Sequence, residues 1–352
     1  MTKQVLVRNI PIGGGAPVSV QSMTNTPTRD VAATVAQIKG LEAAGCDIVR
    51  LAIPDMAAAE AVEKIREQVQ IPLVADIHFD YRLALACIER GIDKIRINPG
   101  NIGADENVRA VASAARKAGI PIRIGINGGS LEKELLERYG HPCAEAMVES
   151  ALRQVALLEQ ADFGDIVLSL KASSVPMTIE AYRQISQRTN YPLHIGITEA
   201  GTKWQGTLAA GIGIGTLLSE GIGDTLRVSL TDNPVEEVHT GIALLRLLEK
   251  RKGLRFVSCP TCGRCQVDLV PIANEIYEKI RGIDQPLHVA VMGCAVNGPG
   301  EAREADIGLA CGKGEALLFY HGETAGKLPE AGLADAFVQR VFALAEERKN
   351  HE

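Results

Sequence analysis

The chain has 352 residues, of which 46% are hydrophobic and 23% charged, and its formal net charge is −6 at neutral pH. That balance is ordinary for a soluble globular protein with a sizeable core; it excludes a general nucleic-acid surface and leaves any anion site to a local concentration of basic residues. No stretch approaches the roughly 18 apolar residues of a membrane span, and the amino terminus has no apolar run of signal-peptide length, so a cytoplasmic location with no membrane partner is expected.

From residue 18 onward, short β-branched runs alternate eight times with longer alanine-rich stretches of helical period. The predicted strands are Val18 to Met23, Asp47 to Ile53, Pro72 to His78, Lys94 to Asn98, Pro121 to Asn127, Asp165 to Lys171, Leu193 to Glu199 and Thr225 to Thr231. Helical patterns such as Asp30 to Ala44 and Asn107 to Lys117 lie between them, and glycines such as Gly45, Gly119 and Gly221 close helices just before the next strand. Eight β/α units predict a TIM (β/α)8 barrel over residues 1–250. An open doubly wound sheet is the alternative.

In a strand, residues i and i+2 share a face. Polar residues recur on that period at the carboxyl ends: Asp76 with His78, Arg96 with Asn98, Arg123 with Asn127, Ser169 with Lys171, and Arg227 with Ser229. Arg50 on the second strand joins them. A charged side chain in a packed barrel is costly unless paired, and barrel active sites lie at the carboxyl ends of strands. Five cations converging there predict an anion-binding pocket. The run Gly211-Ile212-Gly213-Ile214-Gly215 is read as a contributor to phosphate binding at a helix start, although it does not follow a strand in the dinucleotide-binding manner.

A basic linker, Glu249 to Gly253, then separates the barrel from a small α+β unit over residues 254–352. Here the expected elements are a helix from about Asp268 to Arg281, strands Leu287 to Met292, Asp306 to Ala310 and Ala316 to Tyr320, and a terminal helix from about Leu333 to Arg348. Of the eight cysteines, Cys46, Cys87 and Cys143 sit in apolar surroundings and read as structural. Cys259-Pro260-Thr261-Cys262 is different: two cysteines two residues apart can turn both sulfurs toward one point, and Cys294 in the Gly293-to-Glu301 segment can complete most of a metal site. Closed zinc sites usually need a second paired unit, which the chain lacks. Iron–sulfur is therefore favoured, with Glu301 as an acid at the end of the second segment. The spacing Cys259-x-x-Cys262-x-x-Cys265 by itself also admits Cys265 as a thiolate ligand.

Together these segments resemble the bacterial 4-hydroxy-3-methylbut-2-enyl diphosphate synthase family. The likeness covers essentially the whole chain and rests on Ser258 to Cys262, Gly293 to Glu301, Gln21 to Thr26, Ala75 to Phe79, Arg96 to Asn101 and Gly223 to Ser229. The resemblance implies a reductive ring opening and dehydration of 2-C-methyl-D-erythritol 2,4-cyclodiphosphate in the non-mevalonate isoprenoid pathway. It implies a [4Fe–4S] cluster held by Cys259, Cys262 and Cys294, with Glu301 as displaceable fourth ligand. It implies substrate binding by Arg50, Asp76, His78, Arg96, Arg123, Asn127, Lys171, Ser229 and Asn297, and proton donation by Glu199. It further implies electrons from reduced flavodoxin or ferredoxin, and a homodimer whose active site is shared between subunits. A redox-sensing module that merely binds a phosphorylated ligand is the competing class; a radical S-adenosylmethionine enzyme is disfavoured because its CxxxCxxC motif is absent.

Overall fold

The computed structural model describes residues 1–98, 102–294, 296 and 298–349. The chain divides into two compact units, Met1–Lys250 and Arg251–Glu352. Among the described residues no helix is long and apolar enough to cross a membrane.

The first unit opens with an antiparallel hairpin of β1 (Val5–Val7) and β2 (Ile10–Ile12). Eight parallel strands follow: β3 (Ser19–Met23), β4 (Ile48–Ala52), β5 (Leu73–Asp76), β6 (Lys94–Ile97), β7 (Ile122–Asn127), β8 (Ile166–Lys171), β9 (His194–Ile195) and β10 (Thr225–Leu226). Between and after them run α1 (Val31–Ala43), α2 (Met56–Arg66), α3 (Tyr81–Glu89), α4 (Asp105–Ala118), α5 (Lys133–Tyr139), α6 (Ala144–Gln160), α7 (Val175–Arg188), α8 (Lys203–Ser219) and α9 (Pro234–Leu247). The strand order β8-β7-β6-β5-β4-β3-β10-β9 is closed by a parallel bridge between Leu168 and Leu193. This is the expected TIM barrel.

Apolar residues of the strands' outer faces, such as Ile95, Ile97, Ile122 and Ile124, join the helices in the main core. Inside the barrel, the amino-terminal end is stoppered by the hairpin: Val5, Val7 and Ile12 pack with the inward Ile48, Val74 and Val167. Hydrogen bonds fix the stopper to the segments that precede the strands. Arg8 donates to the Gln70 carbonyl, Lys3 N–H to that of Asn190, and Thr2 to the Asp224 carboxylate.

Two sequence expectations need correction. The last two barrel strands are only two residues long, because past Ile195 the chain turns toward Glu199, which has a φ of 53°; the N–H of Arg227 donating to Ile195 O at 3.0 Å carries the pairing one step further. The glycine run 211–215 does not cradle anything at a helix start: it lies inside α8, where its N–H groups belong to the helix. Gly213 is needed for packing, since a Cβ there would meet Ile197 Cδ1 at 2.5 Å.

In the second unit, β11 (Arg255–Ser258), α10 (Leu269–Ile280), β12 (His288–Met292), α11 (Gly298–Glu304), β13 (Ile307–Cys311), β14 (Glu315–Tyr320), β15 (Glu323–Pro329) and α12 (Leu333–Lys349) form an α+β layer. The sheet order is β11-β12-β13-β14-β15, parallel for the first three strands and antiparallel for the rest. Its core joins Val289, Val291, Ile307 and Leu309 to Ile276, Phe337 and Val341 of α10 and α12.

Candidate active site

Strand register brings the predicted barrel residues together. Asp76 is registered beside Arg96, Arg96 beside Arg123, Asn127 beside Lys171, and Arg50 beside Met23. Asp76 is the hub: its carboxylate lies 3.0 Å from Arg96 Nη1, 3.7 Å from Arg50 Nε and 3.4 Å from His78 Nε2. Burial pushes this acid up, but Arg50, His78 and Arg96 together outweigh burial and hold it well below the usual carboxylate range. Arg50 also donates to Met23 Sδ through Nε and Nη2, at 3.0 and 2.8 Å, and burial lowers it to about 10.

The other cations are not so well matched. Arg123 is 1% exposed, and its Nε and Nη1 have no hydrogen-bond partner within the protein. Burial, then Arg50 and Arg96, holds it well below its ordinary value. Lys171 is depressed in the same way, by burial first and then by Arg123, Arg227, Arg50 and Arg96. Space for these side chains is made by missing ones: a Cβ on Gly196 would stand 2.6 Å from Lys171 Nζ, and one on Gly125 would fall on the Arg96 guanidinium. Buried cations that repel one another and lack acceptors are costly on their own. Such a cluster is suited to accept an anion that supplies the missing charge.

Around the rim, a cleft of about 520 Å³ is lined by Asn127, Ser130, Ser173, Ser174, Thr198 and Glu199, among others. Glu199 is exposed and occupies the left-handed backbone region at φ 53°. A bulky residue held there is strained, and such strain gathers at functional sites. Ser229 follows β10 and is half-buried. His78 is exposed, turned back toward Asp76. The three serines and Thr198 were not foreseen; isolated hydroxyl residues after a strand look like any loop. Glu237 was also missed. It comes from the first turn of α9, is 3% exposed, and accepts from Arg227, Ser22 and the Leu230 N–H. In sequence an acid there is indistinguishable from one placed to complement the helix dipole.

The cysteines of the second unit come from adjacent parallel strands. Ser258 at the end of β11 is registered with Val291 of β12, so Cys259 and Cys294 leave the same end of the sheet. Gly293 N–H donates to Cys259 Sγ at 3.2 Å, and Gln266 N–H to Gly293 O at 3.0 Å. A Cβ on Gly293 would lie 2.5 Å from Cys265 Sγ and 3.6 Å from Cys259 Sγ, so Cys265 is part of this corner too. Its thiol donates to Val267 O at 3.2 Å. Cys262 is exposed, and the Arg264 backbone N–H and side chain lower its thiol below the ordinary value. Cys311, buried close by, is pushed up to about 12 by burial and then by Cys265 and Cys259.

Glu301 does not end a turn, as the sequence suggested, but lies in the first turn of α11. Pro299 sits just inside that helix, where its fixed φ suits the start and its missing N–H costs nothing. Asn297 falls outside the described residues. Among the described residues no three histidine, cysteine, aspartate or glutamate side chains close on one point as they would around a single ion. A four-iron cluster asks for something different, since each ligand binds a different iron and the donors stand apart. Soft thiols at one end of a sheet, with a backbone N–H aimed at one sulfur, suit that group.

Two family models cover the chain. The GcpE TIM-barrel domain matches residues 2–242, and the GcpE protein C-terminal domain matches residues 255–343. The chain is 59% identical over 348 residues to the 4-hydroxy-3-methylbut-2-en-1-yl diphosphate synthase (flavodoxin) of Geobacter sulfurreducens, covering 99% of both chains. It is 58% identical over 341 residues to the protein of the same name from Ruminiclostridium cellulolyticum, covering 97% of both. Among solved structures, dihydropteroate synthase from Xanthomonas albilineans matches 70% of this chain and 97% of its own at a TM-score of 0.50 and 11% identity. That last likeness concerns the barrel fold alone.

Proposed function

The chain belongs to the GcpE family, and from that membership we propose how its residues divide the family's reaction between them. It is a 4-hydroxy-3-methylbut-2-enyl diphosphate synthase, an oxidoreductase that converts 2-C-methyl-D-erythritol 2,4-cyclodiphosphate to 4-hydroxy-3-methylbut-2-enyl diphosphate in the non-mevalonate pathway. In neutral forms the conversion takes two electrons and two protons. One ring C–O bond to phosphate breaks, one hydroxyl leaves as water, and a C=C bond forms.

The observation that carries the site reading is the buried, under-neutralised cation cluster at the carboxyl ends of the strands. Arg96, Arg123 and Lys171 bind the diphosphate, with Arg50, Ser229 and Asn127 completing its cradle. Asp76 keeps Arg50, Arg96 and His78 in place so that they do not need to reorganise when the ligand arrives. Holding fixed donors where charge will sit is the main electrostatic contribution a protein makes to such chemistry. Glu199, exposed on the cleft beside Asn127, delivers a proton to the departing oxygen, and Asn297 contacts the substrate.

Cys259, Cys262 and Cys294, with Glu301, hold a [4Fe–4S] cluster. When bound, that cluster supplies single electrons and a Lewis-acidic iron. Gly293 N–H steadies the Cys259 sulfur, and the carboxylate is the ligand most easily displaced. Reduced flavodoxin is the donor that the relatives' name supports, with ferredoxin an alternative. The enzyme works in the cytoplasm as a homodimer whose site is shared between subunits.

Anaerobic turnover of the cyclodiphosphate with a chemical reductant tests the assignment. Product formation with four irons per chain is expected. A brown protein that binds the cyclodiphosphate without consuming it would leave only a ligand-binding redox module. Mixing Lys171→Ala with Cys294→Ala chains tests the shared site, since a mixed dimer regains one intact set. Demonstrated subunit exchange without recovered turnover assigns the whole site to one chain.

A further inference from the structure

Between the cation cluster and the hydrophobic stopper, the barrel holds a tier of polar side chains that the reaction as described does not use. Ser19, Gln21, Lys94, His194 and Thr225 all carry buried polar atoms without a hydrogen-bond partner in the protein. Lys94, His194 and Thr225 have no exposure at all. Thr225 is registered beside both Ser19 and His194, and Lys94 beside Val74, whose side chain belongs to the stopper cluster. Lys94 therefore sits two residues, about 6.6 Å, below Arg96 on the same strand.

A buried lysine is ordinarily matched to a carboxylate. The charged groups of this interior are Arg50 from β4, Asp76 from β5, Arg96 from β6 itself, Arg123 from β7, Lys171 from β8, His194 from β9 and Arg227 from the segment after β10; β3 brings only Ser19 and Gln21. Glu237 reaches in from α9. Both acids are already engaged, Asp76 with Arg50, His78 and Arg96, and Glu237 with Arg227. No carboxylate is left for Lys94 among these groups.

We propose that Lys94, with His194, is a sealed proton-binding site beneath the anion site: neutral in the free enzyme, it takes up a proton when the cyclodiphosphate dianion occupies the barrel mouth. The inference rests on reading that mouth as the diphosphate site. Burial and then Arg123 hold Lys94 well below the ordinary lysine range, and His194 is lowered by burial, then Arg123, Lys171, Lys94 and Arg50. Negative charge placed one tier above Lys94 favours the protonated form of the lysine, and the ligand brings two such charges. The proton neutralises nothing in the ligand. It lets a group that is uncharged when the mouth is empty become a cation once the ligand's charge is there to stabilise it.

The test is calorimetric titration of the unreduced holoenzyme with the cyclodiphosphate, without oxygen, in buffers of different ionisation enthalpy. Each phosphoryl group of this ligand has a single strongly acidic hydroxyl, so the ligand itself exchanges no proton near neutrality. The wild type is expected to take up about one proton per ligand bound near pH 8, and Lys94→Met at most half of that. Lys94→Gln replaces the methionine variant if that variant does not fold. Binding with the same heat in every buffer overturns the proton site and leaves the anion site standing. Equal uptake in wild type and Lys94 variant moves the proton to another group, such as Lys171, and also overturns it. No binding at all removes the anion-site reading, and this inference with it.

Discussion

At the barrel mouth the central charged side chains stand on paired strands and are buried, with Asp76 3%, Arg96 6%, Arg123 1% and Lys171 7% exposed, while His78 and Glu199 at the rim are exposed. At the cysteine end of the second unit they stand on the segments that leave the strands: Cys294 is buried, Cys259 and Cys265 are half-buried, and Cys262 and Glu301 are exposed. The first site is assembled by folding, and the fold holds repelling charges together before any ligand arrives. On the proposed reading the second would be set by the cluster it is to hold, because metal ligation is itself a source of folding free energy. Electrostatic preorganisation in one unit would then stand beside metal-driven organisation in the other.

The sharpest way to break this contrast is Cys294→Ala. It removes the buried thiol of the second site and is expected to abolish cluster iron and turnover, while cyclodiphosphate binding at the mouth persists, because the cation cluster is built wholly within the first unit. Iron analysis and calorimetry on the same preparation check it. Glu199→Gln comes next, with turnover lowered by about 10²–10⁴, the range for a lost general acid, and with cluster iron and ligand affinity kept. Near-normal turnover would take Glu199 off the catalytic list.

A smaller effect is expected on the barrel side. Arg123→Met should weaken cyclodiphosphate binding by about 10- to 150-fold, the equivalent of a charged hydrogen bond of about 1.5–3 kcal/mol. Because the variant removes a buried cation whose Nε and Nη1 lack acceptors, its melting temperature should equal or exceed that of the wild type. The sign follows from linkage. A cation depressed by folding binds fewer protons than the unfolded chain, so it costs stability below its ordinary pKa and the cost fades as pH rises. A large loss of stability in Arg123→Met would mean that the guanidinium is structural. The smallest effect is that of Cys265→Ser, expected to keep cluster and turnover within about twofold, as changes outside the ligand set usually do, whereas Glu301→Ala loses most turnover. The opposite result makes Cys265 the fourth ligand, a role its position against Gly293 and Cys259 allows.

The barrel was legible in the sequence because its two periods are strong. Strands of period two carried Arg96 with Asn98 and Arg123 with Asn127, and the spacing of Cys259 and Cys262 pointed to the proposed second site without help from the fold. What stayed hidden depended on three-dimensional closeness. Lys94 and His194 look like the ordinary ends of strands until the barrel closes around them. Glu237 finds Arg227 only because α9 packs back on the strands. The glycines at 211–215 resemble a phosphate loop in sequence, yet they lie within a helix where Gly213 is required by packing and Gly211 and Gly215 face open space, because local composition does not say which neighbour fills the space a side chain would take. Glu301 was placed on a turn because glycine and proline dominate Gly298-Pro299-Gly300, although proline at the first turn of a helix is equally at home.

The hairpin stopper also has a kinetic meaning. Among the described residues, a barrel corked at its amino-terminal end by Val5, Val7 and Ile12 is left open at its carboxyl end, so whatever enters there leaves by the way it came. On the proposed assignment substrate and product would queue for the same passage and the same cations, and the product, whose free terminal diphosphate can carry more negative charge than the ring it came from, would be the stronger rival for them. Turnover in such a vessel is governed by emptying as much as by filling.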